Sequence, residues 1–133
     1  MKGINVKQAA AIVCGKLSGS GDSDHELTGL VIDSRNVRPG FAFAALTGER
    51  VDGHDYVNKA FELGASCCIV ERDIPGASGC LIVVDSTAKA MARLAEAYRK
   101  MLSIPVIGIT GSVGKTTAKE MISAVLSQRF SVL

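Results

Sequence analysis

Aromatic side chains and blocks of like charge are scarce in this sequence, and their scarcity excludes whole classes of function. The 133 residues include no tryptophan, two tyrosines and four phenylalanines. The 15 basic and 13 acidic residues leave a net charge of +2 and are mixed along the chain, so that no basic tract is present. Proteins that bind nucleic acids need clustered positive charge, and those that bind single strands also need aromatic faces for base stacking. We therefore predict no nucleic-acid partner.

Long apolar runs are also lacking. No stretch approaches the roughly 20 apolar residues that a membrane-spanning helix requires. The first residues, Met1-Lys2-Gly3-Ile4-Asn5, lack the apolar segment of a secretory signal peptide. These features predict a cytoplasmic protein without a membrane partner.

Cysteine and histidine show no metal-binding pattern. Four cysteines, at positions 14, 67, 68 and 80, form no C-x-x-C pair, and His25 and His54 stand in no ligand spacing with them. A cytosolic protein keeps such thiols reduced, and free cysteine is among the most buried residue types. We predict buried, reduced thiols and no metal site built from them.

A regular alternation of helical and strand patterns is present instead. Apolar residues make up 47% of the chain, enough for a packed core. Helices are predicted at about 6–14, 56–63 and 87–102, and strands at 27–33, 41–46, 66–71 and 80–85, with a polar, glycine-rich loop at 18–24. Strands that alternate with helices indicate an α/β fold, and we predict a small complete domain over residues 1–102.

A phosphate-binding loop is predicted near the end of the chain. The apolar run Val106–Ile109 reads as a strand, Thr110-Gly111-Ser112-Val113-Gly114-Lys115-Thr116-Thr117 follows, and a helical pattern begins at Lys115. This strand–loop–helix order is the context that such a loop needs. The pattern is a variant, because Ile109 stands where G-x-x-x-x-G-K-S/T has its first glycine, and glycines occur at 108 and 111 instead.

The residue types in this loop suit a nucleoside triphosphate. Gly111 and Gly114 let successive backbone N–H groups turn toward phosphate oxygens, and the helix that follows presents its positive end. Lys115 supplies a positive charge for the β- and γ-phosphates, and the Thr116 hydroxyl is the usual Mg²⁺ ligand at this position. The alternative is a glycine-rich turn with a chance lysine.

The segment 103–133 is too short to form a nucleotide-binding domain. It offers one strand, a helix at about 115–128 and the beginning of a strand at 130–133. A parallel sheet is buried by helices on both faces. We therefore predict that residues 103–133 are the incomplete beginning of a parallel-sheet ATP-binding domain.

Two further polar clusters follow predicted strands. Asp33-Ser34-Arg35 comes after the strand at 27–33, and the segment Gly48-Glu49-Arg50-Val51-Asp52-Gly53-His54 comes after the strand at 41–46. Ligand sites of α/β proteins gather at such places. The residues alone also allow a local role, in which Asp33 and Arg35 form a surface ion pair and Asp52 caps the next helix.

The phosphate loop, the Asp-Ser-Arg and the Gly-x-x-x-Asp-Gly segment, in this order, resemble the Mur ligases, which form amide bonds in peptidoglycan synthesis. The run Ala118-Lys119-Glu120-Met121-Ile122 and the segment 48–56 are most similar to the members that add D-alanyl-D-alanine. The resemblance covers roughly residues 27–130. Two departures are Val113, where asparagine is common, and Phe41-Ala42, where an acidic and a larger residue are common.

The resemblance implies an ATP-dependent ligase that joins D-alanyl-D-alanine to UDP-N-acetylmuramoyl-tripeptide through an acyl phosphate, and so a role in cell wall synthesis, cell shape and division. It implies ATP and Mg²⁺ as cofactors. The implied sites are Gly111 to Thr117 for ATP, including Ser112, Val113 and Gly114, with Lys115 and Thr116 catalytic and Thr116 a Mg²⁺ ligand. For the uridine diphosphate end of the substrate they are Ile32, Ser34, Arg35, Glu49, Arg50 and Val51.

Other functions stay open at this point. They are the sister ligase that adds the third amino acid, a small kinase, and a non-catalytic UDP-sugar-binding module. The resemblance also implies that further Mg²⁺ ligands, a modified lysine and the domain for D-alanyl-D-alanine would lie beyond Leu133. We therefore expect the 133-residue chain to be catalytically silent on its own.

Overall fold

A computed structural model describes residues 3–49 and 51–132. The chain divides into two compact units, residues 1–102 and 103–133, which are described separately. The helices and strands, in chain order, are α1 Val6–Val13, β1 Lys16–Gly19, β2 Gly29–Val31, β3 Phe41–Ala44, α2 Val57–Glu62, β4 Cys67–Val70, β5 Cys80–Val83, α3 Thr87–Met101 and α4 Lys115–Leu126. Two 3₁₀ turns, Ser34–Asn36 and Gly53–Tyr56, follow β2 and β3.

The first unit is built on one five-stranded sheet in the order β1-β5-β4-β3-β2. The pairs β2–β3, β3–β4 and β4–β5 are parallel, and β1 pairs antiparallel with β5. The predicted α/β class is confirmed. Because the four parallel strands point the same way, their carboxyl ends lie along one edge of the sheet, which we call the carboxyl edge.

The two faces of the sheet are covered by different helices. Alternate residues of β4 point to opposite faces, so that Cys67 and Ile69 pack with α1 and α3 while Cys68 and Val70 pack with α2. Helix α1 contributes Val6, Ala9, Ala10 and Val13 to the first core, and α2 contributes Val57 and Ala60 to the second. This three-layer arrangement explains why β4 reads as a continuous apolar run.

The loop predicted at 18–24 was partly wrong, because residues 16–19 form β1. This strand carries a serine and a glycine and is mostly exposed, so that neither β-propensity nor alternation marks it. Its register is set by pairing with β5, where Lys16 lies opposite Val83 and Gly19 opposite Cys80. Such a strand at the edge of a sheet is defined by its neighbour rather than by its own sequence.

The strands predicted at 106–109 and 130–133 do not form in the described residues. A strand needs a partner for its backbone hydrogen bonds, and the described part of residues 103–132 offers none. Leu133 lies outside the described residues. The helix predicted at 115–128 is confirmed as α4, Lys115–Leu126.

The prediction of buried thiols holds for three cysteines and fails for one. Cys67, Cys68 and Cys80 are buried, and burial raises the pKa of each thiol. Cys14 is exposed at the end of α1. In the described part of the chain, no helix is long and apolar enough to cross a membrane.

Candidate functional site

The polar segments predicted from the sequence lie at the carboxyl edge of the sheet. Strand β2 ends at Val31 and is followed by the first 3₁₀ turn, and β3 ends at Ala44 and is followed by the loop that carries Glu49 and Val51. Because β2 and β3 are neighbours, the two groups of predicted substrate residues occupy adjacent positions on this edge. Open parallel sheets bind ligands at their carboxyl edge.

The first group is held by a local network around Asp33. Its carboxylate accepts hydrogen bonds from the backbone N–H of Arg35 at 3.0 Å and from Nη2 of the same residue at 2.7 Å. These bonds lower the pKa of Asp33 to about 2. They also raise the pKa of Arg35, with a smaller contribution from the nearby Tyr56 phenol. The local ion pair considered from the sequence is therefore present, and it also fixes where the Arg35 guanidinium lies.

Apolar side chains accompany this charged pair at the carboxyl edge. Ile32 precedes the turn and its side chain is 55% exposed, and Val51 in the next loop is 54% exposed. Arg35, whose side chain is 87% exposed, lies in the 3₁₀ turn that follows β2. The edge thus offers apolar surface beside a cation, which suits a flat base next to a phosphate.

The second group lies in a tight loop that we call the 47–53 loop. Thr47 and Asp52 form an isolated antiparallel bridge, and Gly48 N donates to Val51 O at 2.9 Å. Gly53 is required where the loop closes, because a Cβ there would lie 2.7 Å from the backbone nitrogen of Leu46. Glu49 is exposed, and the predicted site residue Arg50 lies outside the described residues.

Among the described residues of this loop, Asp52 has the most heavily hydrogen-bonded side chain. It accepts from the backbone N–H of His54 at 2.9 Å, which makes it the cap of the second 3₁₀ turn, and its Oδ1 lies 2.6 Å from His54 Nδ1. Its other oxygen accepts from Arg72 Nη2 at 2.7 Å. Arg72 first, and then the two hydrogen bonds with His54, hold the pKa of Asp52 well below its usual range.

Sequence reasoning missed two residues of this cluster. Glu71 and Arg72 directly follow β4, the strand next to β3, so that they reach the same edge as the 47–53 loop. Glu71 uses its backbone N–H toward His54 Nε2 at 2.9 Å and its carboxylate toward Thr87 N at 2.8 Å. The available signal was their position, since residues just after a parallel strand share one edge with those after its neighbours.

The predicted phosphate loop belongs to the second unit. Gly111 has φ +155° and Gly114 has φ +80°, backbone conformations that strongly favour glycine. Gly114 leads directly into α4, and no side chain among the described residues caps the first turn of that helix. Lys115 Nζ contacts the carbonyl oxygen of Gly111 and so lies over the loop. Val113, one of the two departures from the family pattern, is 90% exposed.

A shallow hollow of about 310 Å³ adjoins this loop. It is lined by Ile107, Ile109, Lys115, Thr116 and Lys119. The two lysines lie one helical turn apart on α4 and provide positive charge on one side of the hollow. The geometry can accept an anion such as a phosphate chain, with apolar side chains beside it.

The described residues contain no group of three or more histidine, cysteine, aspartate or glutamate side chains that could hold a metal ion. Thr116 can supply one hydroxyl ligand. Mg²⁺ commonly keeps several waters and binds substrate phosphates through only one or two protein groups. The residues present therefore fit Mg²⁺ only when a phosphate ligand is bound with it.

Comparison with known proteins identifies the relatives of this sequence. Residues 26–99 match the family described as "Mur ligase family, catalytic domain". The UDP-N-acetylmuramoyl-tripeptide–D-alanyl-D-alanine ligase of Bacillus subtilis is 40% identical over 129 residues, which is 96% of this chain and 28% of the relative. The UDP-N-acetylmuramoyl-L-alanyl-D-glutamate–2,6-diaminopimelate ligase of Syntrophomonas wolfei is 38% identical over 111 residues, 81% of this chain and 22% of the relative.

Solved structures give the same result. A crystal structure of MurF from Acinetobacter baumannii superposes with a TM-score of 0.83 at 35% identity and covers 94% of this chain. The crystal structure of MurF ligase from Thermotoga maritima in complex with ADP has a TM-score of 0.70 at 36% identity over 82% of this chain. This chain corresponds to 28% and 25% of those two chains. It thus spans about a quarter of the length of the proteins that it matches.

Proposed function

The chain belongs to the Mur ligase family, and from that membership we propose that it is part of an ATP-dependent ligase that adds D-alanyl-D-alanine to UDP-N-acetylmuramoyl-tripeptide in the cytoplasm. The observation that carries this proposal is the 40% identity over 96% of the chain with a ligase of that name. The whole protein would act in peptidoglycan synthesis, and residues 1–133 would supply two of its binding regions.

Residues 1–102 would bind the uridine diphosphate end of the substrate at the carboxyl edge. Exposed apolar side chains of Ile32 and Val51 support this role, because they can pack against a base. The Arg35 guanidinium supports it as well, since arginine recognises phosphate well and Asp33 fixes its position. Ser34 and Glu49 would complete the contacts, together with Arg50.

Residues Gly111 to Thr117 would bind ATP. The positive φ values of Gly111 and Gly114 support a backbone cradle, and the uncapped first turn of α4 supports an anion at the helix start. The ADP in the Thermotoga maritima structure supports nucleotide use by this family. Lys115 would leave the Gly111 carbonyl and place its charge on the β- and γ-phosphates.

Thr116 would hold Mg²⁺ together with the phosphates of the nucleotide. When bound, the ion would neutralise charge on the β- and γ-phosphate oxygens. This chain's own contribution would be electrostatic and positional, because phosphoryl transfer needs orientation and charge stabilisation more than covalent chemistry. The phosphoryl group would pass to the tripeptide carboxylate, and the amine of D-alanyl-D-alanine would then displace it as phosphate.

The diaminopimelate-adding ligase is the second candidate, because one such relative is 38% identical. That match extends over 81% of the chain, whereas the match to the D-alanyl-D-alanine ligase of Bacillus subtilis extends over 96%. The wider match favours the D-alanyl-D-alanine reaction. A preference of the whole protein for diaminopimelate over D-alanyl-D-alanine in a ligation assay would reverse this choice.

Calorimetric titration tests both binding regions, with the 133-residue chain for the substrate and the whole protein for the nucleotide, because residues 103–133 are too short to form a nucleotide-binding domain. We expect the 133-residue chain to bind UDP-N-acetylmuramoyl-tripeptide and UDP, and the whole protein to bind ATP with Mg²⁺. Lys115→Ala should weaken ATP binding about tenfold or more, because a hydrogen-bonded charge is lost from the phosphates, and should leave UDP binding unchanged.

Lys100→Ala is the matched control, since Lys100 lies on the exposed side of α3 and forms an ion pair with Glu96, outside both predicted sites in the sequence. Neither affinity should change in that variant. Absence of UDP binding in a folded sample would overturn the role of residues 1–102. Equal ATP affinity of the whole protein with and without Lys115→Ala would overturn the role of the phosphate loop.

A further inference from the structure

His54 is one of two polar residues that the structure buries in the described part of the chain, the other being Thr87. It lies in the second 3₁₀ turn, directly after the 47–53 loop, and only 1% of its side chain is exposed. A buried polar ring costs free energy unless its nitrogens are hydrogen-bonded. The positions of its partners therefore show what the ring does.

Both ring nitrogens of His54 have partners, and they fix one neutral tautomer. Nε2 lies 2.9 Å from the backbone nitrogen of Glu71 and must accept, because that N–H can only donate. Nδ1 therefore carries the hydrogen and donates to Asp52 Oδ1 at 2.6 Å. The ring joins the loop after β3 to the first residue after β4.

A second hydrogen bond also joins Asp52 to the segment that follows β4. Arg72, the next residue after β4, donates to the other carboxylate oxygen of Asp52 at 2.7 Å. The Glu71 carboxylate in turn accepts from the backbone of Thr87 at the start of α3, after β5. Segments that follow three neighbouring strands are thus linked in one network, with Asp52 and His54 at its centre.

We propose that His54 is a positioning residue for the uridine diphosphate site, which it serves by holding the 47–53 loop against the end of β4. The proposal rests on the function proposed above. Glu49 and Val51 lie between Thr47 and Asp52, the two residues that close the loop. A loop ordered before binding avoids the entropy cost of ordering it on the ligand, so that the affinity is higher.

Two substitutions of His54 separate the effects of its two hydrogen bonds. His54→Leu removes both the acceptor for Glu71 N–H and the donor to Asp52. His54→Gln can place an amide oxygen near the position of Nε2 and so keep the acceptor for Glu71. We therefore expect His54→Leu to bind UDP about tenfold more weakly and His54→Gln to recover most of that loss.

Isothermal titration with UDP, at a temperature where each variant is shown to be folded by circular dichroism, provides the test. Amide hydrogen exchange should show faster exchange at Gly48 and Glu71 in His54→Leu than in His54→Gln. Thr87→Val is the matched control, because Thr87 is equally buried and its hydroxyl has no hydrogen-bond partner among the described residues. Its contact with Glu71 uses the backbone N–H, which valine keeps. Its UDP affinity should stay unchanged.

Arg72→Ala keeps the test decisive if His54→Leu fails to fold. The Arg72 side chain is 55% exposed, so that its removal leaves the core intact and breaks the hydrogen bond from Arg72 to Asp52. We expect weaker UDP binding in this variant by a smaller factor. Unchanged UDP affinity in Arg72→Ala and in every folded His54 variant would overturn the positioning role alone. Failure of the unaltered chain to bind UDP would instead overturn the proposed function on which it rests.

Discussion

Cys14 and Gly15 directly follow α1. Glycine usually takes the left-handed conformation at the end of a helix, which would favour Gly15 for that position. The structure gives that conformation to Cys14, with φ +57°, while Gly15 N donates to Ala10 O at 2.8 Å. Gly15 is needed for a different reason, because a Cβ there would lie 2.5 Å from Ile82 Cγ2.

We predict that Cys14→Gly stabilises the protein. The left-handed conformation costs a residue with a Cβ about 1–2 kcal/mol, and the greater freedom of glycine in the unfolded chain offsets part of this gain. The net gain should be on the order of 0.5–1 kcal/mol in the free energy of unfolding, measured by urea denaturation. Cys14→Ala, which removes the thiol but keeps the strain, should change stability little. Equal effects of the two substitutions would refute the strain argument.

At the scale of elements, hydrophobic periodicity predicted the helices and strands that face the core. It missed a strand that is defined only by pairing with its neighbour. The parallel strands β2 to β5 were predictable because apolar residues mark them, and α3 because its apolar residues recur at helical spacing. Leu94, one of these apolar residues of α3, is fully buried, whereas Met101 at the end of α3 is 51% exposed. Strand β1 was not predictable, because only its pairing with β5 defines it.

The residues of the candidate site also fall into those that a sequence motif marks and those that only the strand order brings together. Motifs indicated Ser34, Glu49 and the phosphate loop, and the structure places the first two after adjacent strands. Glu71 and Arg72 carry no motif, and their roles come from strand order, which brings the end of β4 beside the 47–53 loop. The alternative that Asp52 caps the next helix is met only in part, because Asp52 accepts from His54 N and caps the second 3₁₀ turn, whereas the cap position of α2 is Tyr56.

The start of α1 offers a test of how much a single cap contributes. Asn5 Oδ1 accepts from Gln8 N at 2.7 Å, and Gln8 Oε1 accepts from Asn5 N at 2.9 Å, so that the two side chains form a reciprocal capping box. Asn5→Ala should lower the free energy of unfolding by about 1 kcal/mol, measured by urea denaturation. Asn58→Ala, at an exposed position inside α2, should lower it by much less or raise it. A smaller loss at Asn5 than at Asn58 would show that the box is not formed in solution.

At the scale of the whole molecule, the buried core lies within the first unit. Among the described residues, every buried apolar side chain lies between Ile4 and Leu94. The second unit instead exposes large apolar side chains, including Val106 at 61%, Met121 at 66% and Val125 at 68%. Because burial of apolar surface is the main favourable term in folding, residues 103–133 should contribute little to stability.

We therefore predict that a chain ending at Leu102 folds as stably as the 133-residue chain. Its thermal midpoint should lie within about 2 °C of the longer chain, since 1 kcal/mol shifts the midpoint of a domain of this size by roughly 4–8 °C. It should keep the UDP affinity, because the carboxyl edge lies within residues 1–102. Differential scanning calorimetry and titration of both chains provide the measurement. A much lower midpoint would mean that residues 103–133 stabilise the first unit and that residues 1–102 are not an independent folding unit.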